Sequence, residues 1–195
     1  YKNNSFAGGL IGYSQRSYIL NSWTDVTLDA FCKTANAEAG GITAMNAYGM
    51  IVNCYTFGDI SGETDRENVD DGGVTYLGGI AGCQAGTLVN CYSDCTLTSK
   101  TWTKFVGALG GIAGRNTAIG TVNYGYFNSE QEQRSGNSVV TPAKDIGTNV
   151  TMGSTGVVRN TAAMTGAELR SETFRDLLNE NQCEDHELRY ALQDG

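Results

Sequence analysis

The chain has 195 residues, of which 40% are apolar, 26 are Gly and one is Pro, and its net charge is −8. That length suits one ordinary domain, or one with an appendage; so many glycines imply tight turns and close backbone approaches, while a single Pro and no Gly-X-Y period exclude collagen and argue against a flexible linker. The 13 Lys and Arg are scattered without a basic face, which excludes nucleic acid as a partner, and no apolar run nears the roughly 20 residues that membrane insertion requires. Starting at Tyr1 and not at Met, the chain reads as a mature segment or a fragment of a larger protein.

From the N-terminus onward the chain repeats itself. GGLIG at Gly8 is followed by LNSW around Asn21, and GGITA at Gly40 by VNCY around Asn53. GGIAG at Gly78 leads to VNCY around Asn90, and GGIAG at Gly110 to VNYG around Asn123. The glycine pairs recur after 32, 38 and 32 residues, and the long middle step is assigned to an insertion, ETDRENVDDGG, at residues 63–73. Self-similarity at such a period marks a solenoid, a propeller or an array.

The hydrophobic pattern chooses among these. GMIVNCYTF, GTLVNCYS and GTVNYGYF are β-branched and aromatic and are flanked by turn residues, which is strand chemistry and not a helical stripe. Helical arrays are thereby excluded. Two clear strands per repeat, with a candidate third in DVTLDAF, GDISG and DCTLTS, are too few for a propeller blade but fit one coil of a β-solenoid. The predicted fold is all-β: a right-handed parallel β-helix of about four coils with a small α-helical C-terminal cap. Its handedness follows the parallel crossover rule.

In such a coil, equivalent residues stack about 4.8 Å apart. Asn21, Asn53, Asn90 and Asn123 are expected to form an amide ladder. Trp23, Tyr55 and Tyr92 form an aromatic ladder broken at Gly125, with Tyr55 and Tyr92 expected to point inward. Leu10, Ile42, Ile80 and Ile112 fill the core behind the glycines.

Of the six cysteines, Cys54 and Cys91 share a repeat position that Ser22 occupies in the first copy, so stacked free thiols are preferred there to a disulfide. Cys91 and Cys95 have the spacing of half a zinc site, but no second ligand pair follows, and no metal is assigned. Cys32, Cys83 and Cys183 read as small buried apolar residues.

The pattern GG[LI]xG followed by N[SC][YW] resembles the GLUG motif, a repeat of secreted and surface-attached bacterial proteins that include adhesin-like chains and immunoglobulin A-specific metallopeptidases. The resemblance covers residues 5–128 in four copies. It implies a repeat module of a larger extracellular or cell-surface bacterial protein, with other domains of that chain as partners and no catalytic residues of its own; no HExxH is present. The copies depart from the pattern at Thr43-Ala44 and Tyr124-Gly125, where distorted coils are expected. Residues 1–140 are read as the solenoid and 141–195 as a C-terminal extension.

In the extension, SEQEQRSGNSVV reads as a loop and residues 149–158 as a further strand. Thr165 with Glu168 forms a capping-box pattern, and Leu169, Phe174, Leu177 and Leu178 share one face, which predicts a helix over residues 166–180 laid across the terminal coil. A second short helix is predicted over residues 186–192.

Candidate chemistry is sparse. His186 lies among acids in CEDHELR, but no nucleophile motif accompanies it, and it reads as part of a solvated helix. Glu63, Asp65, Glu67, Asp70 and Asp71 are calcium candidates in what otherwise reads as a solvated loop; the EF-hand pattern is absent. The glycines are spaced G-G-x-x-G, which matches no phosphate-binding fingerprint, and no cofactor is expected. The expected role is a non-catalytic structural or display module for adhesion or spacing. The alternative is a carbohydrate-binding module, or an accessory part of a polysaccharide- or protein-degrading enzyme, with Tyr18 and Trp102 as candidate contacts for a host or cell-surface glycan.

Overall fold

The computed structural model describes residues 4–64, 73–100, 107–149 and 156–181. Coil one carries β1 (Ser5–Gly8), β2 (Ile11–Gln15), β3 (Tyr18–Leu20) and β4 (Trp23–Cys32). Coil two carries β5 (Ala37–Gly40), β6 (Thr43–Val52) and β7 (Tyr55–Thr64), and coil three β8 (Thr75–Gly78) and the long β9 (Ala81–Ser99). Coil four carries β10 (Ala108–Gly110), β11 (Ala113–Asn116), β12 (Thr121–Asn128) and β13 (Gln133–Ser135), which turns back into β14 (Ser138–Val139). The molecule is a parallel β-solenoid of about four coils: β1, β5, β8 and β10 stack as one sheet, and the remaining strands stack coil upon coil in a second. Apart from β14, which pairs with β13 of its own coil, each strand finds its backbone partners one coil away, which satisfies the N–H and C=O groups of otherwise buried chain.

Register follows the repeat closely. Coils one and two pair at an offset of 32 residues throughout, from Ser5↔Ala37 to Cys32↔Thr64. Between coils two and three the pairing slips by one residue, from Ala47↔Ala85 to Met50↔Thr87. The extra length of coil two falls between Thr64 and Thr75. Coil four keeps Gly110 beside Gly78 but then places Thr121 beside Thr87, so two additional residues enter at the corner before β12.

The glycine pair makes the sharp turn between the two sheets. A Cβ on Gly78 would stand 1.9 Å from the Ala81 carbonyl oxygen, and one on Gly79 would stand 2.1 Å from that of Gly111 in the next coil. No side chain fits either position. Ile42, Ile80 and Ile112 behind them are fully buried, as expected. Leu10, expected in the same core, is instead 47% exposed, because coil one has no coil in front of it among the described residues.

Stacking continues past residue 140. β15 (Ile146–Asn149) pairs with β11, and β16 (Val157–Arg159) and β17 (Ala162–Met164) pair with β12, giving part of a fifth coil. The segment predicted as one strand over residues 149–158 is therefore the end of β15 and the start of β16, and residues 150–155 lie outside the description. The segment predicted as a loop contains β13, paired parallel to β9. Its polarity concealed this: Gln133 is buried because its side-chain amide donates to the Lys144 carbonyl and accepts from the Lys144 N–H.

The predicted helix is two, α1 (Gly166–Leu169) and α2 (Glu172–Glu180). Thr165 and Glu168 form the capping box of the first, and Ser171 caps the second by accepting from the Phe174 N–H, which is why the chain breaks there. The helix predicted to cross the terminal coil lies instead on the flank of coils three and four. There Phe174, Leu178 and Leu169 pack with Tyr126, and the partly buried Tyr92 packs against the cluster.

Candidate functional site

The corner after β3 and after β6 is where each Asn word does its work. Asn21, Asn53 and Asn90 all adopt φ near 50°, a left-handed conformation that Asn tolerates better than most residues. The turn aims the side chains along the solenoid axis. Asn53 Nδ2 donates to Asn21 Oδ1 at 3.1 Å, and Asn90 Nδ2 donates to Asn53 Oδ1 at 2.8 Å. Asn123 does not join this file. The two residues added in coil four place it beside Val89, and Tyr124 takes the corner with φ 54°. Asn123 instead accepts from Asn160 at 2.9 Å, where the fifth coil turns with φ 52°.

The aromatic file follows immediately. Trp23 and Tyr55 stack at 5.9 Å with ring planes 6° apart, and Tyr55 and Tyr92 at 5.0 Å and 9°. Tyr55 and Tyr92, expected inside, instead point outward: their neighbours Cys54, Thr56, Cys91 and Ser93 are buried, and strand side chains alternate. The file does not stop at Gly125 either, because Tyr126 occupies the position beside Tyr92. Phe174 of α2 then closes the flank, packing edge-on against Tyr92 at 5.3 Å and Tyr126 at 5.2 Å. The rings lie face upon face, so within the file they present edges to solvent, while Trp23 at its head keeps one face uncovered among the described residues.

The residue after each ring ties the two repeated words together. Thr24 Oγ1 donates to the Gly41 carbonyl and Thr56 Oγ1 to that of Gly79, each at 2.8 Å, and Ser93 Oγ donates to that of Gly111. In every case a hydroxyl of one coil satisfies the second glycine of the next.

A second polar file was not anticipated. Ser14, Asn46, Gln84, Asn116 and Asn149 are in register on β2, β6, β9, β11 and β15, and the first four are buried. Asn46 Nδ2 donates to Gln84 Oε1 at 3.0 Å, and Asn116 Nδ2 to Asn149 Oδ1 at 3.2 Å. The residue type changes from coil to coil, so the only signal in the sequence was a polar residue at a fixed distance after each glycine pair.

Four titratable groups meet where β5, β8, β9 and β11 bring together Glu38, Tyr76, Cys83 and Arg115. The guanidinium lies 5.3 Å from the Tyr76 ring centroid. Burial pushes the Glu38 carboxyl up to about 7, against the opposing effects of Arg115 and of a hydrogen bond donated by the Asn4 side-chain amide at 2.7 Å. Burial, reinforced by Glu38, raises the Cys83 thiol to about 12, so it is a poor nucleophile at neutral pH.

The remaining cysteines serve the core. Cys54, Cys83, Cys91 and Cys95 are free thiols, and they and Cys32 are buried. The Cys54 N–H points at Cys91 Sγ at 3.4 Å, and burial holds the Cys91 thiol well above its usual range. Cys91 and Cys95 belong to separate core clusters, and Cys95 faces Thr56 at 3.2 Å. Among the described residues, no group of three or more metal-ligating side chains is gathered. Glu63 lies on β7 beside Phe31, whereas Asp65, Glu67, Asp70 and Asp71 lie outside the described residues. Trp102, Cys183, His186 and the second predicted helix lie outside them too. Tyr18 is 68% exposed on β3.

A cleft of about 290 Å³ opens at the end of coil four, lined by Phe127, Lys144, Asp145 and Thr161 among others. Its carboxylate is occupied: Asp145 accepts from the Ile146 N–H and from Thr161 Oγ1, each at 2.7 Å. Among the described residues, no helix is long and apolar enough to cross a membrane. Compared with family models, with curated proteins and with solved structures, the chain finds no match.

Proposed function

We propose that this chain is a non-catalytic structural and display module, a run of GLUG-like repeats that spaces or presents other domains of a larger bacterial surface or secreted protein. The orientation of the aromatic rings carries this reading. A sugar-binding platform offers ring faces, but Tyr55 has both of its faces against neighbouring rings. The amides of Asn21, Asn53 and Asn90 are likewise engaged with one another. The repeated polar and aromatic chemistry is spent on coil-to-coil contact and yields a stiff rod. The Cys83 and Cys95 thiols, which burial pushes up to about 12, resist oxidation, and that suits an exported chain.

A carbohydrate-binding role has one observation in its favour. Tyr18 and Tyr48 are 68% and 64% exposed near the same corner of coils one and two. A glycan panel probed with the full chain and with Tyr18→Ala and Tyr48→Ala tests both readings. The structural role predicts no saturable binding. Binding that either substitution abolishes, at unchanged Tm, would replace it with the carbohydrate reading.

A further inference from the structure

Among the described residues, the strands of coil one bond on one side only: β1 to β5, β2 and β3 to β6, and β4 to β7. The side-chain files stop there half-used. Leu10 is exposed, whereas Ile42, Ile80 and Ile112 of the same file are buried. Trp23 has one face on Tyr55 and remains 53% exposed. Asn21 accepts from Asn53, but its own Nδ2 has no partner among the described residues. Gly41, Gly79 and Gly111 each receive a hydroxyl from the preceding coil, and Gly9 receives none among the described residues. Of the eleven large apolar side chains that are exposed among the described residues, seven lie in coil one.

We propose that this face of coil one is an interaction surface for one further coil of the same repeat chemistry. That coil supplies strands parallel to β1–β4, an Asn whose Oδ1 accepts from Asn21, a Thr or Ser that donates to the Gly9 carbonyl, and a flat ring for Trp23. This deepens the structural role, resting on it only in taking the files as coil-to-coil contacts. The far end of a second copy does not meet these requirements. Ala162 stands beside Tyr126 where a ring is needed, and Ala163 stands beside Phe127 where a hydroxyl is needed. The interface between coils one and two, with its uninterrupted offset, is the pattern that the missing contact continues.

The test uses the full chain with Trp102→Phe, so that Trp23 is the single tryptophan and its emission is excited selectively over that of the tyrosines. A copy of residues 5–36, with its own tryptophan changed to tyrosine, is inserted ahead of Ser5. The expected result is a shift of Trp23 emission to shorter wavelength and amide exchange at residues 11–15 and 23–32 slowed at least about tenfold. A second insert, with alanine at its equivalents of Asn21 and Thr24, is expected to lose most of that slowing. An inserted coil that stays protease-sensitive, or that leaves Trp23 emission and exchange unchanged, overturns the proposal. So does concentration-dependent self-association of the unmodified chain that itself shifts Trp23, since a second copy would then be the occupant. Glycan binding leaves this outcome untouched, so failure here and failure of the structural role are distinguishable.

Discussion

Thr56 donates its hydroxyl to the Gly79 carbonyl at 2.8 Å, joining the aromatic word of coil two to the glycine word of coil three. The contact is fully buried on the threonine side. It explains why two words more than a dozen residues apart recur together.

Thr56→Val keeps the shape but leaves the Gly79 carbonyl without its hydroxyl, and it also removes the group facing Cys95. Stability is expected to fall by about 1–3 kcal/mol in urea unfolding, while Thr56→Ser keeps most of it. Equal losses from the two substitutions would show that methyl packing, and not the hydrogen bond, holds the coils there.

Asn53 combines a left-handed backbone with two side-chain hydrogen bonds, one donated to Asn21 and one accepted from Asn90. Asn53→Gly retains the backbone freedom and loses the bonds; Asn53→Ala loses both. The alanine variant is expected to be less stable than the glycine variant by roughly 1 kcal/mol, a difference that denaturant midpoints resolve. The reverse order would mean that the turn is not strained.

Phe174 anchors α2 through Tyr92 and Tyr126. Phe174→Ala is expected to abolish amide protection over residues 172–180 and leave that of β6 and β7 intact, as read by hydrogen exchange. Simultaneous loss in both places would make the helix part of the cooperative core.

Glu38 titrates from about 7 in the folded state against an ordinary 4.5. Below the lower value both states are protonated, and the group has no effect on stability. As pH rises from about 4.5 to about 7 the unfolded chain loses the proton first, so stability falls, by an amount on the order of 3 kcal/mol, and the loss persists above that window. Glu38→Gln is expected to flatten this part of the stability profile. A profile as steep as that of the unsubstituted chain would assign the dependence to another group.

The core thiols give a further check. With native protein, iodoacetamide followed by mass spectrometry is expected to label none of Cys54, Cys83, Cys91 and Cys95, and in denaturant all four. A disulfide recovered between Cys54 and Cys91 would contradict the free, stacked pair.

Much of the fold was legible because a solenoid writes its contacts as repetition. The glycine words named the turns, and Asn21, Asn53 and Asn90 named the corner. Alignment by words failed where the chain length changed inside a coil. Asn123 looked like the fourth rung but sits one position early, and Tyr126 completes the aromatic file that Gly125 had seemed to break. Identity also failed as a guide where chemistry was shared without it. Ser14, Asn46, Gln84 and Asn116 form one file of buried polar groups in three residue types.

By itself, the sequence determined the period, the strand character and the turning points, because glycine, asparagine and β-branched residues carry local preferences that survive outside any fold. Which side of each strand faces the core, where the added residues are absorbed and what covers the flank were decided only by the tertiary structure. Those outcomes depend on hydrogen bonds and packing between residues that lie 17 or more positions apart, and such pairs meet only once every corner between them has been turned.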